Sequence, residues 1–231
     1  MSTLTEEITI PQVEAEAWTA PQLLSFGLQR FSPKIAIASS FGAEDVVLIH
    51  LAAQVRPDFR VFTLDTDFLF PETYALIDAI ERRYHIKVER TKPLLTPEEQ
   101  AREFGAALWS RQPDQCCNLR KVQPLIKKLG ELDAWVTGIR RDQAPTRANA
   151  RKLEWDAKFG LVKINPLADW KWEKVWDYIR SHNILYNPLH DQGYPSIGCT
   201  YCTRPVQAGE DQRAGRWSGF QKTECGLHAG G

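Results

Sequence analysis

Short apolar runs alternate with stretches of helical periodicity over the first two thirds of the chain. Four of these runs predict buried strands: Lys34–Ala38, Arg60–Leu64, Ile86–Arg90 and Ala134–Thr137. Helices are predicted at Val46–Gln54 and at Pro71–Tyr84, where the proline suits a first helical turn. Strands separated by helices are typical of parallel βαβ units with helices on both faces of the sheet. We therefore predict an α/β fold built on a parallel sheet.

The two ends of the 231-residue chain differ from this repeating part. Residues 1–30 are expected to form an N-terminal arm with a short helix, and residues 31–206 the α/β domain. In residues 207–231, six of 25 residues are glycine and few are aliphatic, which is typical of a mobile tail.

Composition and charge narrow the class of protein. Apolar residues make up 43% of the chain and charged residues 25%, which is ordinary for a globular domain. The formal net charge is zero, so the basic excess that usually accompanies nucleic-acid binding is absent. No apolar run approaches the length of a membrane-spanning helix, and the acidic N-terminus resembles neither a secretory signal nor a mitochondrial presequence. We expect a cytoplasmic protein without nucleic-acid or membrane partners, whose thiols stay reduced.

Loops that follow the predicted strands are the first candidates for a binding site, because ligands of parallel sheets bind beyond the carboxyl ends of the strands. These loops are Ser39–Asp45, Asp65–Phe70 and Gly138–Arg147. In the first, Ser39, Ser40 and Gly42 join a strand to a helix, so backbone N–H groups and hydroxyls can approach an anion. This signal alone is weak, and a plain structural turn explains it equally well.

A local excess of positive charge strengthens the case for an anionic ligand. Between Arg120 and Lys152 there are nine basic residues and three acidic ones. Three arginines of this group lie in a loop that follows a strand, where guanidinium groups can bind phosphate or sulfate: Arg140, Arg141 and Arg147. Arg213 and Arg216 of the tail could close over the same anion. Lys127 and Lys128, in contrast, are expected on a solvated helix face.

Four of the five cysteines form two close pairs. Cys116 and Cys117 are adjacent, and Cys199 and Cys202 form a CxxC motif. If the fold brings the pairs together, the four thiolates suit zinc or an iron–sulfur cluster. Adjacent cysteines are unusual for structural zinc, so the spacing favours iron–sulfur. Zinc and buried unpaired thiols remain the alternatives.

The fifth cysteine, Cys225, stands alone in a polar segment between Lys222 and His228. A free thiol is ionised to only a few per cent at neutral pH, and nearby positive charge raises that fraction. An anionic substrate together with a thiolate suggests nucleophilic attack on an electrophilic sulfur or phosphorus.

Taken together, these residues resemble the assimilatory adenylyl-sulfate (APS) reductases, which are relatives of the 3′-phosphoadenylyl-sulfate (PAPS) reductases. The resemblance runs from about Ile35 to His228. Its motifs are Ser39–Asp45, Leu64–Thr66, Phe70–Tyr74, Cys116–Cys117 with Arg120–Lys121, Gly138–Gln143, Cys199–Cys202 and Glu224–His228. The paired-cysteine set resembles that of the cluster-bearing APS branch, which it separates from the clusterless branch.

The resemblance implies an adenine-nucleotide α-hydrolase-like fold, a nucleotide- and cluster-binding domain at residues 31–206 and a catalytic tail at residues 207–231. It implies that Cys225 is the nucleophile. It also implies a [4Fe-4S] cluster held by Cys116, Cys117, Cys199 and Cys202. The loop with Ser39, Ser40 and Gly42 would face the nucleotide. The phosphate–sulfate group would be surrounded by Lys121, Arg147, Arg213 and Arg216.

The reaction implied is the reduction of APS to sulfite and AMP, in assimilatory sulfate reduction, through an S-sulfocysteine on Cys225. Thioredoxin or a similar dithiol would be the reductant, because no second cysteine lies near Cys225 in sequence. PAPS reduction or dual specificity is the main alternative. A tRNA sulfur-transfer enzyme and an iron–sulfur redox sensor are more distant alternatives, and a homo-oligomer is possible.

Two positions depart from the family pattern. Asp67 stands where glycine is expected after Leu-Asp-Thr, and the segment from Arg216 to Cys225 is short, with Trp217 as its only tryptophan. The first departure affects the expected contacts with the nucleotide. The second affects how the tail would close over the substrate.

Overall fold

The computed structural model describes residues 11–222 and 224–227. In this part of the chain, strands form one sheet in the order β3-β2-β1-β4-β6-β5. The strands are β1 (Ile35–Ala38), β2 (Val61–Leu64), β3 (Val88–Thr91), β4 (Ala134–Val136), β5 (Leu153–Asp156) and β6 (Leu161–Ile164). All neighbouring strands are parallel except β5 and β6, which pair antiparallel at one edge.

Helices connect the parallel strands, as the alternating pattern predicts. Within the described residues they are α1 (Gln12–Ala15), α2 (Ala20–Phe31), α3 (Ala43–Val55), α4 (Pro71–Tyr84), α5 (Pro97–Phe104), α6 (Leu108–Arg111), α7 (Pro113–Cys117), α8 (Gln123–Leu129) and α9 (Trp172–Ser181). A π-helical turn at Asn118–Val122 joins α7 to α8. None of the helices in the described residues is long and apolar enough to cross a membrane.

Side chains that alternate along the strands divide the core into two layers. Ile35 and Ile37 of β1 pack in a large cluster with α2, α3, α4 and α9. Ala36, between them in sequence, belongs to a smaller cluster on the other face, which includes Trp135 and Leu125 of α8. This alternation places helices on both faces of the sheet, which confirms the predicted fold class.

The sequence pattern predicted α4 with its observed bounds, but the predictions for one strand and one lysine were wrong and one hairpin was missed. The predicted third strand begins two residues too early, and the β5–β6 hairpin was not predicted at all, because its two short strands lack a helix between them. Lys128 is buried and pairs with Glu89 and Glu131 at 2.6 and 2.7 Å, so its expected place on a solvated helix face is wrong.

The order of the strands determines where a ligand can bind. The chain passes from β1 to β2 and β3 on one side and returns to β4 on the other side of β1. At such a switch point the loops after neighbouring strands diverge and leave a crevice at the carboxyl ends. The loops that begin at Ser39 and at Thr137 border this crevice.

Candidate active site

A pocket of about 210 Å³ occupies this crevice. Its walls include residues from the loops after β1, β2 and β4, and the C-terminal tail closes one side. All the site residues that the resemblance implies outside the paired cysteines line it: Ser39, Ser40, Gly42, Lys121, Arg147, Arg213, Arg216 and Cys225. The fold therefore brings together residues that are far apart in sequence.

The loop after β1 is held in shape by its own polar groups. Ser40 donates hydrogen bonds from its backbone N and its Oγ to Asp45 Oδ2, at 2.5 and 2.8 Å, and Phe41 N donates to Ser39 Oγ at 3.1 Å. Burial raises the pKa of Asp45 to about 6, and the nearby Glu44 adds to this effect. Gly42 precedes α3, so its backbone lies at the positive end of that helix.

Gly138 allows the loop after β4 to approach the loop after β1. A Cβ atom at this position would overlap Asp45 Oδ1 and would press on Glu44 Cβ at 3.0 Å. Only glycine permits this close approach of the two loops, whose residues line the pocket.

Two of the arginines expected to bind the anion are paired with acidic side chains. Arg140 is buried, donates from Nε to Glu44 Oε1 at 2.8 Å and also pairs with Asp142. Arg141 donates to Glu16 Oε2 at 2.6 Å and to the Ala150 carbonyl at 2.8 Å. Arg140 lines the main pocket and Arg141 does not, and anion binding by either residue stays a prediction.

Arg147 and Arg213 meet at the carboxylate of Glu224. Arg147 donates from Nε to Oε1 and from Nη2 to Oε2, both at 2.9 Å, and Arg213 Nη2 donates to Oε2 at 3.1 Å. Burial alone would raise the pKa of Glu224, but the hydrogen bonds and charges of the two arginines lower it below its usual value. The tail is thus tied to the loop after β4.

Arg216 and Lys121 complete the positive wall. Arg216 Nη1 donates to Ser196 Oγ at 3.2 Å, while Arg216 Nε is buried without a hydrogen-bond partner among the described residues. Lys121 lies on the π-helical turn after Cys117. Burial would lower the pKa of Lys121, but the nearby Cys199 and Cys225 raise it above its usual value. Lys121 lines both the main pocket, with Cys225, and the small pocket that holds the paired cysteines.

The four paired cysteines surround a second, smaller pocket beside Lys121. Burial raises the pKa of the Cys116 thiol to about 12, and the thiols of Cys117, Cys199 and Cys202 contribute to this rise. Thr66 Oγ1 lies 3.3 Å from Cys199 Sγ. In the part of the chain that the structure describes, no three His, Cys, Asp or Glu side chains are arranged to hold a single metal ion.

The surroundings of this cysteine pocket fit a group that carries several sulfur atoms. Arg120 lines the pocket and is buried, and its Nε and Nη2 have no hydrogen-bond partner in the described residues. Buried N–H groups of this kind are costly unless something accepts their hydrogen bonds. Thiolates and the sulfides of an iron–sulfur cluster are such acceptors, so the donor set and its surroundings fit a cluster.

Cys225 is half-buried, and it lies on the wall of the main pocket. Lys158 Nζ donates to the carbonyl of the next residue, Gly226, and Leu227 packs against the smaller core cluster. Lys222 pairs with Asp114, whereas His228 lies outside the described residues. The segment around the thiol is therefore anchored on both sides.

The tail also pairs with the CxxC segment. Thr203 and Arg216 form an antiparallel bridge, Arg204 N donates to the Gly215 carbonyl at 2.9 Å, and Trp217 N donates to the Cys202 carbonyl at 3.1 Å. Trp217 is buried and fits into the small pocket with the paired cysteines. The short segment after Arg216 is thus sufficient to carry Cys225 to the main pocket.

Comparison with known proteins agrees with this geometry. The family model described as the phosphoadenosine phosphosulfate reductase domain matches residues 34–205. The chain belongs to this reductase family. It is 54% identical over 207 residues to an adenosine 5′-phosphosulfate reductase of Halalkalibacterium halodurans, covering 89% of this chain and 90% of that protein. It is 46% identical to adenosine 5′-phosphosulfate reductase 2 of Bacillus subtilis, covering 89% and 88%.

Solved structures place the fold within the same reductase family. The phosphoadenylyl-sulfate reductase of Candida auris, in a phosphate complex, has a TM-score of 0.72 and 29% identity and covers 84% of this chain and 98% of that chain. Yeast FAD synthetase shares the fold alone, with a TM-score of 0.57, 20% identity and coverage of 80% and 66%. The predicted family and the adenine-nucleotide α-hydrolase-like fold are confirmed.

Some reductase-family residues at the site were not singled out from the sequence. Glu44 and Gln143 lie in the quoted motifs and line the pocket, and Glu224 lies directly before the expected nucleophile. Each is a polar residue in a motif, which is the only signal that the sequence carried. Their partners, Arg140 and Arg147, become visible only in three dimensions.

Proposed function

We propose that this chain reduces adenylyl sulfate to sulfite and AMP, with Cys225 as the nucleophile. The observation that carries the proposal is the position of Cys225 on a pocket wall that also holds Lys121, Arg147, Arg213 and Arg216. A thiol beside several cations suits attack on a substrate with a dianionic phosphate–sulfate group.

In the first half of the reaction, the Cys225 thiolate attacks the sulfur atom of APS. An S–S bond forms while the bond from sulfur to the bridging oxygen breaks, and AMP leaves with the electron pair. Cys225 then carries an S-sulfo group. Lys121 and the arginines stabilise the charge that develops on the leaving phosphate, and such fixed charges often dominate catalysis.

In the second half, a dithiol supplies two electrons. One of its thiolates attacks Cys225 Sγ, and sulfite leaves with the electron pair of the broken S–S bond. The second thiol then attacks the mixed disulfide, so the partner leaves as a disulfide and Cys225 is restored as a thiolate. Thioredoxin is the reductant we propose, and the cytoplasm is the compartment that keeps it reduced.

The proposed cofactor is a [4Fe-4S] cluster held by Cys116, Cys117, Cys199 and Cys202. The support is the position of the four thiols around one small pocket and the unpartnered nitrogen atoms of Arg120, which lines the same pocket. When bound, the cluster would supply a fixed charge and a rigid anchor next to Lys121. The CxxC segment would in turn support the tail that carries Cys225.

The substrate proposed is APS rather than PAPS. The curated relatives at 46–54% identity carry the name adenosine 5′-phosphosulfate reductase, whereas the Candida auris PAPS reductase is 29% identical. Steady-state kinetics with both nucleotides test this choice. A kcat/KM for PAPS equal to or above that for APS would contradict it.

Replacement of Cys225 by serine tests the nucleophile. The variant should bind APS but lose sulfite production by at least about 10³-fold, because a hydroxyl is a far weaker nucleophile than a thiolate. The measurements are sulfite release under anaerobic conditions and a mass gain of one SO₃ group on the tail peptide of the wild type. Ser218→Ala, a change at an exposed tail residue, is the matched control. Undiminished sulfite production by the Cys225→Ser protein would overturn the mechanism.

Anaerobic purification tests the cofactor separately. We expect a coloured protein with iron and acid-labile sulfide, and no colour after replacement of Cys199 by serine. A colourless protein that contains one zinc ion would contradict the cluster.

A further inference from the structure

Glu224 occupies an unusual place for a carboxylate, since it lies among the cations expected to bind an anionic substrate. Its side chain is held by Arg147 through two hydrogen bonds of 2.9 Å and by Arg213 through one of 3.1 Å. The side chains of Arg147 and Glu224 are only 11% and 12% exposed, so water screens this pair weakly. The next residue in the chain is Cys225.

Gln143 extends this contact to the loop after β1. Arg147 Nη1 donates to Gln143 Oε1 at 2.6 Å, and Gln143 Nε2 donates to Glu44 Oε1 at 2.9 Å. Glu44 lies in the first turn of α3, two residues after Gly42. An unbroken set of hydrogen bonds therefore joins the nucleotide loop to the residue beside the thiol.

We propose that Glu224 is a positioning residue, which locks the Cys225 segment onto Arg147 and so sets the thiol at the pocket. This inference rests on the proposed function, because Cys225 is taken as the nucleophile. We call the contact of Glu224 with Arg147 and Arg213 the lock; it joins the tail to the loop after β4. Because Gln143 connects the lock to Glu44, the loop after β1 can influence the position of the Cys225 thiol.

An opposite role is conceivable from the same contacts: the carboxylate could stand in the place of the substrate anion and be expelled when APS binds. The position of the carboxylate argues against this. Lys121, Arg147, Arg213 and Arg216 line the main pocket, whereas Glu224 is not among the described residues that line it. Glu224 therefore binds Arg147 and Arg213 from outside the space that the substrate would fill, and the two can be present together.

The covalent chain gives a second argument. Glu224 and Cys225 are adjacent, so a movement that takes the carboxylate out of the site also takes the thiol away from Lys121. Expulsion of Glu224 would remove the nucleophile at the moment when it is needed. A lock that stays closed during sulfur transfer avoids this conflict.

The test uses the cluster-loaded protein and three variants. Glu224→Gln removes the charge at constant size, and Glu224→Asp keeps the charge with a shorter reach. Glu210→Gln is the matched control, because Glu210 is another tail carboxylate bound by an arginine, Arg204, at 2.9 and 3.0 Å. Its partner Arg204 does not line the pocket, whereas Arg147 and Arg213, the partners of Glu224, do.

Rates of S-sulfo formation on Cys225 are measured in a single turnover without reductant, and APS binding is measured separately. Glu224→Gln should slow the transfer about 10- to 100-fold, because a small displacement of a reacting atom costs that much. The dissociation constant for APS should change less than about threefold. Glu224→Asp should recover part of the rate, and Glu210→Gln should stay within about twofold of wild type.

A second readout needs no substrate. Trypsin cleavage after Lys222, whose side chain is only 9% exposed, releases the peptide that carries Cys225. Glu224→Gln should speed this cleavage about fivefold or more if the lock holds the segment down, because local opening controls such cleavage. If wild type forms no S-sulfo group, the proposed function fails, while the cleavage rate still reports on the lock.

Two results would overturn the inference. One is a Glu224→Gln protein that transfers sulfur as fast as the Glu210→Gln control. The other is tighter binding of APS by Glu224→Gln, which would mean that the carboxylate competes with the substrate.

Discussion

Asp45 is a single carboxyl group that organises the loop after β1. It accepts both hydrogen bonds of Ser40, at 2.5 and 2.8 Å, and it is 8% exposed. Burial raises its pKa to about 6, with a contribution from Glu44, although the bonds from Ser40 oppose this change. The loop thus contains a carboxyl group that titrates close to neutral pH.

Replacement of Asp45 by asparagine should change how stability depends on pH. The usual pKa of 3.8 rises to about 6 in the folded protein, so the folded state binds the proton more tightly than the unfolded state. Between about pH 4 and pH 6, wild type should therefore lose stability relative to Asp45→Asn as pH rises, by on the order of 3 kcal/mol in total. Anaerobic urea denaturation across this range measures the difference.

Asp177→Asn provides the control, since the Asp177 side chain is 77% exposed. Its stability should run parallel to that of wild type at every pH. Parallel curves for Asp45→Asn and wild type would refute the altered pKa.

Arg140 and Arg147 show that the residue types in a loop do not reveal which side chains will pair with them. Both arginines follow β4, and both were expected to bind the anion. Arg140 pairs with Glu44, which is 96 positions away in the chain, and Arg147 pairs with Glu224 of the tail. The number and type of basic residues were sufficient to predict an anion site, but their acidic partners depend on the fold.

At the scale of elements, the contact between the tail and the CxxC segment depends on Gly215. A Cβ atom there would overlap the Arg204 carbonyl oxygen, and a backbone carbonyl cannot move aside as a flexible side chain can. The close approach lets Arg204 N donate to the Gly215 carbonyl at 2.9 Å.

Gly215→Ala should loosen the tail and lower the rate of sulfite release about tenfold or more, because Cys225 would no longer be held at the pocket. Ala208→Ser, at an exposed tail residue, also adds a single heavy atom and should leave the rate unchanged. Anaerobic sulfite assays of the two proteins make the comparison. A Gly215→Ala protein with wild-type activity would show that this contact is dispensable.

The elements themselves could be predicted where local pattern and packing agree. Pro71 begins α4 and the periodic apolar residues Leu76, Ile77 and Ile80 are buried, so both bounds were correct. The hairpin of β5 and β6 escaped prediction, because no helix separates its two strands and Trp155 on the edge strand remains half-exposed. Strand length does not explain it, since β3 at the opposite edge is also four residues long and was predicted.

At the scale of the whole molecule, Lys152 joins the N-terminal segment to the sheet. Its buried Nζ donates to the Glu16 and Trp18 carbonyls at 3.0 and 2.7 Å and pairs with Asp169 at 2.8 Å. Arg141 donates to the Glu16 side chain from the same loop. The segment before α2 thus braces the loop that carries Arg147.

Lys152→Met should lower the free energy of unfolding by about 1–3 kcal/mol, because two carbonyl groups lose their donor. Thermal or urea denaturation of the cluster-loaded protein measures the loss. Lys87→Met, at an exposed position, should change stability by less than about 0.5 kcal/mol. Equal stability of the two variants would contradict the bracing role.

The assembly of the candidate site is a property of the complete fold. The sequence supplied all five cysteines and the basic residues, but the meeting of Cys225 with Lys121 depends on a tail that pairs with the CxxC segment. No local pattern encodes that pairing, because the two bridged residues, Thr203 and Arg216, are ordinary loop residues.

The backbone pairing between the tail and the CxxC segment has a consequence for damaged copies of the protein. Trp217 N donates a hydrogen bond to the Cys202 carbonyl, so the segment that carries the proposed nucleophile is attached to a proposed cluster ligand. A copy that loses the proposed cluster would therefore also lose the contact that holds Cys225 at the pocket. Such a copy would leave APS intact. It would not accumulate an S-sulfo group on a Cys225 that the reductant cannot reach.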